Sequence, residues 1–249
     1  MENIKTGTSN SSVNWAKIYD FYEIQMRDTR KVTTKMQNES HFELLRRYLQ
    51  KNILKNNSFA EIGFGSGITL RRAAHYFEKV YGLDISPQNV RVTQQELEKK
   101  GYHNIELFVT NIMKKEEQFR GMFDVITFIH GLEHFSLQDY QTLFTTIRYY
   151  LKPGGFFTGA LPFNLDFTYR MCPSCHHLFE IDGHLSRHDI QSLTDLFASH
   201  EWEIIYLANF NPYYYWQHKG LLKFLYRFIR HVILKQKAHF QLEFIVKPK

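Results

Sequence analysis

At 249 residues, with 43% hydrophobic and 22% charged side chains, the chain has the size and balance of one α/β domain with a sizeable core. Two cysteines exclude a disulfide framework and fit a reducing cytoplasm, and no apolar run is long enough to cross a bilayer. All of the net charge of +6 lies from Tyr213 onward, where eight Lys/Arg face only Glu243 and the rest of the chain is near −1, so a local acidic partner is expected and a nucleic-acid-coated domain is not.

Two helical patterns come first, roughly 12–30 and 39–51, and make residues 1–52 a helical lid. Strands and helices then alternate. "SFAEIG" reads as a buried strand followed by the helix "ITLRRAAHYFEK". "VYGLDIS" is the next strand, and "SPQNVRVTQQELEKKG" the next helix, with Ser86 as N-cap, Pro87 at its first position and Gly101 as terminator. "IELFVTN" and "FDVITFIH" are strands three and four. The helix "LQDYQTLFTTIRYYLKPGG" is expected to end at Pro153-Gly154-Gly155, before the strand "FFTGALP". A Cys/His-rich insert over 163–188 precedes the helix "DIQSLTDLFASH" and the strand "WEIIYLANF". A basic aromatic insert over 211–237 separates that strand from the last, "HFQLEFIVK". Alternation of this kind implies a mostly parallel sheet with helices on both faces. The last two strands lack a short helical crossover, so an antiparallel pair is expected at that edge.

The run "FAEIGFGSGITL" closes the first strand with Glu61 just ahead of Gly63, Gly65 and Gly67. A glycine turn between strand and helix is where a nucleotide-like ligand rests. The dinucleotide spacing is G-x-G-x-x-G, whereas here it is G-x-G-x-G with an acid at its mouth. An ionised carboxylate beside a pyrophosphate is repelled by roughly several kcal/mol in a partly desolvated site. The loop therefore suits a ligand that is cationic at this point. Asp84, at the end of the second strand, is placed to accept from ribose hydroxyls.

Four runs in order, "EIGFGSG", "GLDIS", "FDVITFIHGLEHF" and "LKPGG", resemble the consecutive motifs of the class I S-adenosylmethionine-dependent methyltransferases, in their small-molecule branch with Leu-Glu-His after strand four. The resemblance covers roughly 58–162 and implies a Rossmann-like, doubly wound, mostly parallel sheet of seven strands with an antiparallel edge strand. It makes 58–162 the cofactor-binding core of a single domain over 1–249. It further implies that Glu61 sits near the methionine ammonium of S-adenosylmethionine, and that Gly63, Phe64, Gly65 and Gly67 bring backbone close to the ligand. Asp84 would bind the ribose, Ile85 would pack on the adenine, and His130 would end strand four beside the methionine part. Where the family usually has an Asp after strand three, this chain has Asn111, followed by Ile112; an amide oxygen still accepts a hydrogen bond, without the charge.

Methyl transfer to a hydroxyl needs a group that takes the proton. His134, in "LEH", and His184, in "GHLSRHD", are the candidates. "HGLEH" also resembles an E-x-x-E-H cluster that binds a divalent ion in the O-methyltransferases of ubiquinone synthesis, but with His130 in the first place, which suits a hard cation poorly. Cys172 and Cys175 have zinc-knuckle spacing, and His184 and His188 supply nitrogens nearby, so a structural zinc on these four is one expectation; two free thiols, or a thiol–disulfide pair, are the others. From about Lys219 the second insert places Lys219, Lys223, Arg227 and Arg230 on one helical face and apolar residues on the other. That pattern fits an anionic membrane surface, peripheral at its inner face, or else a helix that caps the substrate pocket or meets a dimer partner. Tyr19 and Tyr22 are candidate lid contacts. The expected activity is methyl transfer to a small-molecule or lipid-linked acceptor at oxygen. Transfer to carbon or nitrogen of a sugar or natural-product intermediate is the alternative, and a non-catalytic membrane adaptor the reading from another class.

Overall fold

In a computed structural model, described over residues 14–26, 31–210 and 241–249, the chain is built on a seven-stranded sheet. The expected basic helix within 211–237 and the side chain of Tyr22 lie outside the described residues. Two helices lead, α1 (Trp15–Met26) and α2 (Lys31–Gln50). Helix α2 starts well before the expected Glu39, because "KVTTKMQN" carries no apolar stripe for periodicity to detect.

The alternating core follows as β1 (Ser58–Ile62), α3 (Ile68–Ala73), β2 (Lys79–Asp84), α4 (Pro87–Lys99), β3 (Ile105–Val109), β4 (Phe123–Ile129), α5 (Tyr140–Tyr150) and β5 (Leu151–Pro162). Next come a two-stranded hairpin, β6 (Tyr169–Met171) and β7 (Leu178–Glu180), then α6 (Ile190–Ser199), β8 (Trp202–Phe210) and β9 (Gln241–Pro248). The strand order is β3-β2-β1-β4-β5-β9-β8. The first five strands are parallel, and β9 runs antiparallel to both β5 and β8. The antiparallel edge is therefore present, with β9 one place in and β8 outermost.

Several boundaries have local causes. Helix α4 starts where Ser86 Oγ accepts from the Asn89 N–H at 2.9 Å, with Pro87 at the first helical position. Helix α6 opens on a capping box between Asp189 and Ser192. Helix α3 is shorter than its apolar pattern suggests, since turn bonds such as Phe77 N–H to Ala73 O (2.9 Å) close the chain so that β2 can begin at Lys79. Strand β5 begins at Leu151, before the Pro-Gly-Gly that was expected to end a helix. Leu151 already pairs with Phe123, and the glycines form an irregularity before pairing resumes at Val125 and Phe156.

Two apolar layers sandwich the sheet. One packs α5 and α6 around Phe144, whose ring centroid lies 5.5–6.2 Å from those of Tyr140, Phe157, Phe197 and Trp202. The other packs Phe42 and Leu45 of α2 with Leu70 and Ala73 of α3 over Phe59 and Val80. Each fully buried side chain of this size contributes about 1.5–3 kcal/mol. At the amino ends of the strands, Asp124 Oδ2 accepts from Ser58 N–H (3.0 Å), Ser58 Oγ (2.7 Å) and Lys152 Nζ (2.8 Å), tying β1, β4 and β5 together. The carboxyl ends are left to form the site.

Candidate active site

The strand order reverses at β1 and β4, and in open α/β sheets a crevice forms beyond the carboxyl ends at that point. Glu61 stands in it, in register with Gly82 of β2 and Thr127 of β4. Its carboxylate is 2% exposed, and Oε2 has no hydrogen-bond partner. Burial, helped by nearby Asp84, raises its pKa to about 8 against the pull of the Thr69 hydroxyl, the Leu70 N–H and Arg71. Gly63, Gly65 and Gly67 follow with φ of 61°, 49° and 67°, a left-handed turn that only glycine adopts cheaply. A Cβ on Gly65 would meet nothing within 4 Å, so the loop presents open space over its backbone. Phe64, whose backbone is expected near the ligand, turns its ring into the core, where Gly82 makes room for it. Only its backbone belongs to the loop.

Asp84 is organised before any ligand arrives. Its Oδ1 accepts from Ser86 N–H at 2.9 Å and its Oδ2 from the Asn89 side chain at 2.7 Å. The same turn is tied to the lid. Asp20 of α1 accepts from Ser86 Oγ at 2.5 Å and from Gln88 N–H at 3.2 Å, which clasps α1 to the start of α4. Ile85 is half-buried and Ile112 buried beside this end of the sheet. Asn111 Oδ1 accepts from Met113 N–H at 3.0 Å, so its first task is to fix its own turn.

His130 leaves β4 in a left-handed conformation (φ 51°), fastened by its N–H to Ala160 O at 2.7 Å. Its Nδ1 faces Glu133 Oε1 at 3.5 Å, and its Nε2 is buried without a hydrogen-bond partner. His134 and His184 lie side by side, with ring centroids 5.0 Å apart, and Tyr19 of the lid meets His134 edge-on at 6.3 Å. Burial, then His134 alongside, holds the His184 pKa below the ordinary imidazole value, against Glu133, Glu180 and Asp182. Burial pushes Glu133 up, but the His130 ring and His134 outweigh it and leave the carboxyl below its usual range.

The four-ligand zinc set is not assembled. His188 is buried against Tyr140, with Nε2 at 2.9 Å from the phenol oxygen and 3.3 Å from Ser186 Oγ. Cys172 and Cys175 are free thiols on the β6–β7 hairpin, and neither joins any cluster of three ligand atoms among the described residues. The thiols follow from a local turn, whereas the histidines belong to different parts of the insert. Sequence reasoning missed two other groups. One is Asp20. The other is His41 of α2, fully buried between Thr127 (3.2 Å) and Thr158 (3.4 Å), with a pKa lowered to about 3 by burial and by His130. These contacts join residues far apart in sequence and leave no local pattern.

Residues 59–155 match a family described as "Methyltransferase domain". Over those residues the chain is similar to methyltransferase domains. The chain is 31% identical over 107 residues to the demethylmenaquinone methyltransferase of Geobacillus stearothermophilus, covering 42% of this chain and 44% of that protein. It is 28% identical over 126 residues to EEF1A lysine methyltransferase 2 of Danio rerio, covering 48% and 54%. The matches thus span about half the length of these curated relatives. In fold, the chain is similar to the Burkholderia thailandensis 1,6-didemethyltoxoflavin-N1-methyltransferase, with a TM-score of 0.68 over 99% of this chain and 94% of that one at 14% identity. The residues present fit S-adenosylmethionine: a buried carboxylate oxygen without a partner for the ammonium, an open glycine turn, and an oriented Asp84 for the ribose.

Proposed function

We propose that this methyltransferase moves a methyl group from S-adenosylmethionine to an oxygen of a small-molecule acceptor, lipid-linked acceptors included. The observation that carries the reading is Glu61, buried with one oxygen unpartnered at the mouth of a loop that is poorly suited to phosphate. S-adenosylmethionine supplies an electrophilic methyl on a sulfonium. The chain's own residues bind, align and manage a proton. Glu61 accepts from the ammonium, Asp84 from the ribose, and the glycine turn lets the ligand approach the backbone. With ligand and acceptor held in line, positioning supplies much of the rate. His134 and His184 stand on the acceptor side, and the lowered pKa of His184 keeps it in its neutral, proton-accepting form near pH 7. A peripheral position on an anionic membrane belongs to the same proposal and is supported by the sequence pattern from Lys219 to Arg230.

Calorimetry with S-adenosylmethionine and with its demethylated product tests the binding step; no heat with either refutes the reading and favours a non-catalytic adaptor. Transfer of labelled methyl to hydroxyl-, amine- and carbon-acceptor panels tests the rest. Label on hydroxyls is expected; label on amines or carbon alone transfers the assignment to nitrogen or carbon.

A further inference from the structure

The strand order β3-β2-β1 sets three residues in a row across one end of the sheet: Glu61 at the end of β1, Asp84 at the end of β2, and Asn111 two positions past the end of β3. Neighbouring strands stand about 4.8 Å apart. Thr110 N–H is bonded to Asp84 O at 2.8 Å, so the turn after β3 is fastened directly beside the ribose carboxylate. A nucleoside whose amino-acid end meets Glu61 and whose ribose meets Asp84 carries its base one step further along that row, onto Thr110, Asn111 and Ile112. Ile112 is buried and Ile85 half-buried there, which offers apolar surface to the flat faces of a base.

The polar edge of the base is a matter for Asn111. Its Oδ1 accepts from Met113 N–H at 3.0 Å, and an amide nitrogen cannot accept, so this one bond fixes which way the amide faces. The oxygen is turned into its own turn, which Lys114 N–H closes again on Asn111 O at 2.8 Å. The amide nitrogen donates to nothing among the described residues, and Asn111 is only half-buried. Beside it the Thr110 hydroxyl is 4% exposed, with Oγ1 unpartnered. A hydroxyl both donates and accepts, so it favours neither kind of base edge; an amide –NH2 favours one. Adenine carries an amino group at its 6-position, so donor meets donor. A 6-oxopurine carries a carbonyl oxygen there, so donor meets acceptor. Aspartate in this place would keep the Met113 bond with one oxygen and offer the other to the amino group.

We propose that Asn111 sets the base selectivity of the cofactor pocket: it removes the preference for adenine and admits a 6-oxopurine nucleoside in the same place. Adenine is still held, because its ring N1 accepts from the amide in place of the amino group. A site built to hydrogen-bond one substrate group rejects an analogue lacking it by leaving a buried partner unpaired, and here that lever is missing. The proposal rests on the S-adenosylmethionine reading and deepens it, naming the cofactor class as a purine-nucleoside sulfonium with an amino or an oxo group at the 6-position.

The test is calorimetry of the untagged full-length protein at pH 7 with S-adenosylhomocysteine and, separately, with S-inosylhomocysteine. The wild type is expected to bind the two within about threefold of each other, since neither leaves a donor without an acceptor. Asn111→Asp is expected to bind the adenosyl compound roughly tenfold more tightly and the inosyl compound roughly tenfold more weakly, the scale of a hydrogen bond to a charged group. A wild type that prefers the adenosyl compound by more than about threefold overturns the assignment, as does a folded Asn111→Asp variant whose ratio does not move. Thermal melts report whether the variant folds, and the wild-type ratio decides alone if it does not. Binding that is selective for adenine refutes only the role given to Asn111, whereas no binding of either compound removes the methyltransferase reading and this one with it.

Discussion

Glu61→Gln separates the cost of the site from its use. Moving the carboxyl from 4.5 to about 8 corresponds to about 5 kcal/mol against the ionised form in the empty pocket. The sign follows from proton counting. Between these two values the folded empty protein binds more protons than the unfolded chain, so this group's contribution to stability is full below about pH 4.5 and is lost as pH rises through about 8. Replacing the acid by its neutral amide removes that loss. An unpartnered amide keeps part of the burial penalty, so a net gain of roughly 1–3 kcal/mol at pH 8–9 is expected for the empty variant. Binding moves the opposite way. At pH 7 a group with pKa about 8 is about nine-tenths protonated, so a cationic ligand must expel about 0.9 proton to find a carboxylate. Wild-type affinity for S-adenosylmethionine should therefore rise nearly tenfold from pH 6 to pH 7 and level off above about pH 8. The variant should bind roughly tenfold more weakly at pH 7 and roughly a hundredfold more weakly at pH 9, the scale of a charge-assisted hydrogen bond. Calorimetry in two buffers of different ionisation enthalpy reads the proton directly, and thermal melts read the stability. A wild type that releases no proton at pH 7, or a variant that is less stable when empty, refutes the reasoning.

Asp20→Ala should unclasp α1 from α4, costing about 1 kcal/mol of stability, with faster hydrogen exchange along Trp15–Met26 as the readout. Asp124 has its pKa held down: burial works against this, but Lys152 and Ser58 outweigh it. Its share of stability is therefore present above about pH 4 and lost as pH falls further. Asp124→Asn should flatten the acid limb of urea stability measured between pH 3 and pH 6, and an unchanged limb counts against the network. Gly67→Ala forces a side chain to φ 67°, with its Cβ 3.0 Å from Thr93; a loss of about 1–2 kcal/mol in chemical unfolding is expected.

Much of the cofactor end was legible because its determinants are local. Glu61, the three glycines and Asp84 lie at strand ends whose order the alternation already implies, and Ser86-Pro87 announces its own helix. The acceptor end was legible only in part. His134 and His184 could be named, but their approach depends on the Glu180 loop, and the burial of Glu133 has no local signal. The proposed zinc set failed for a related reason. "CPSC" is a four-residue turn that reads from sequence, whereas the partners of His188 are set by how α5 packs beneath the insert. Asp20 and His41 reach partners 66 to 117 positions away and left no trace in any window of residues.

The seat of β9 has a consequence for biogenesis. Among the described residues, strand β8 joins the sheet through β9, which itself pairs along β5. While the ribosome is still extending the chain toward Gln241, two raw strand borders wait unpaired, each able to recruit a neighbouring nascent chain. Products stalled or clipped before that strand should therefore clump even though every residue of the glycine turn has already been made.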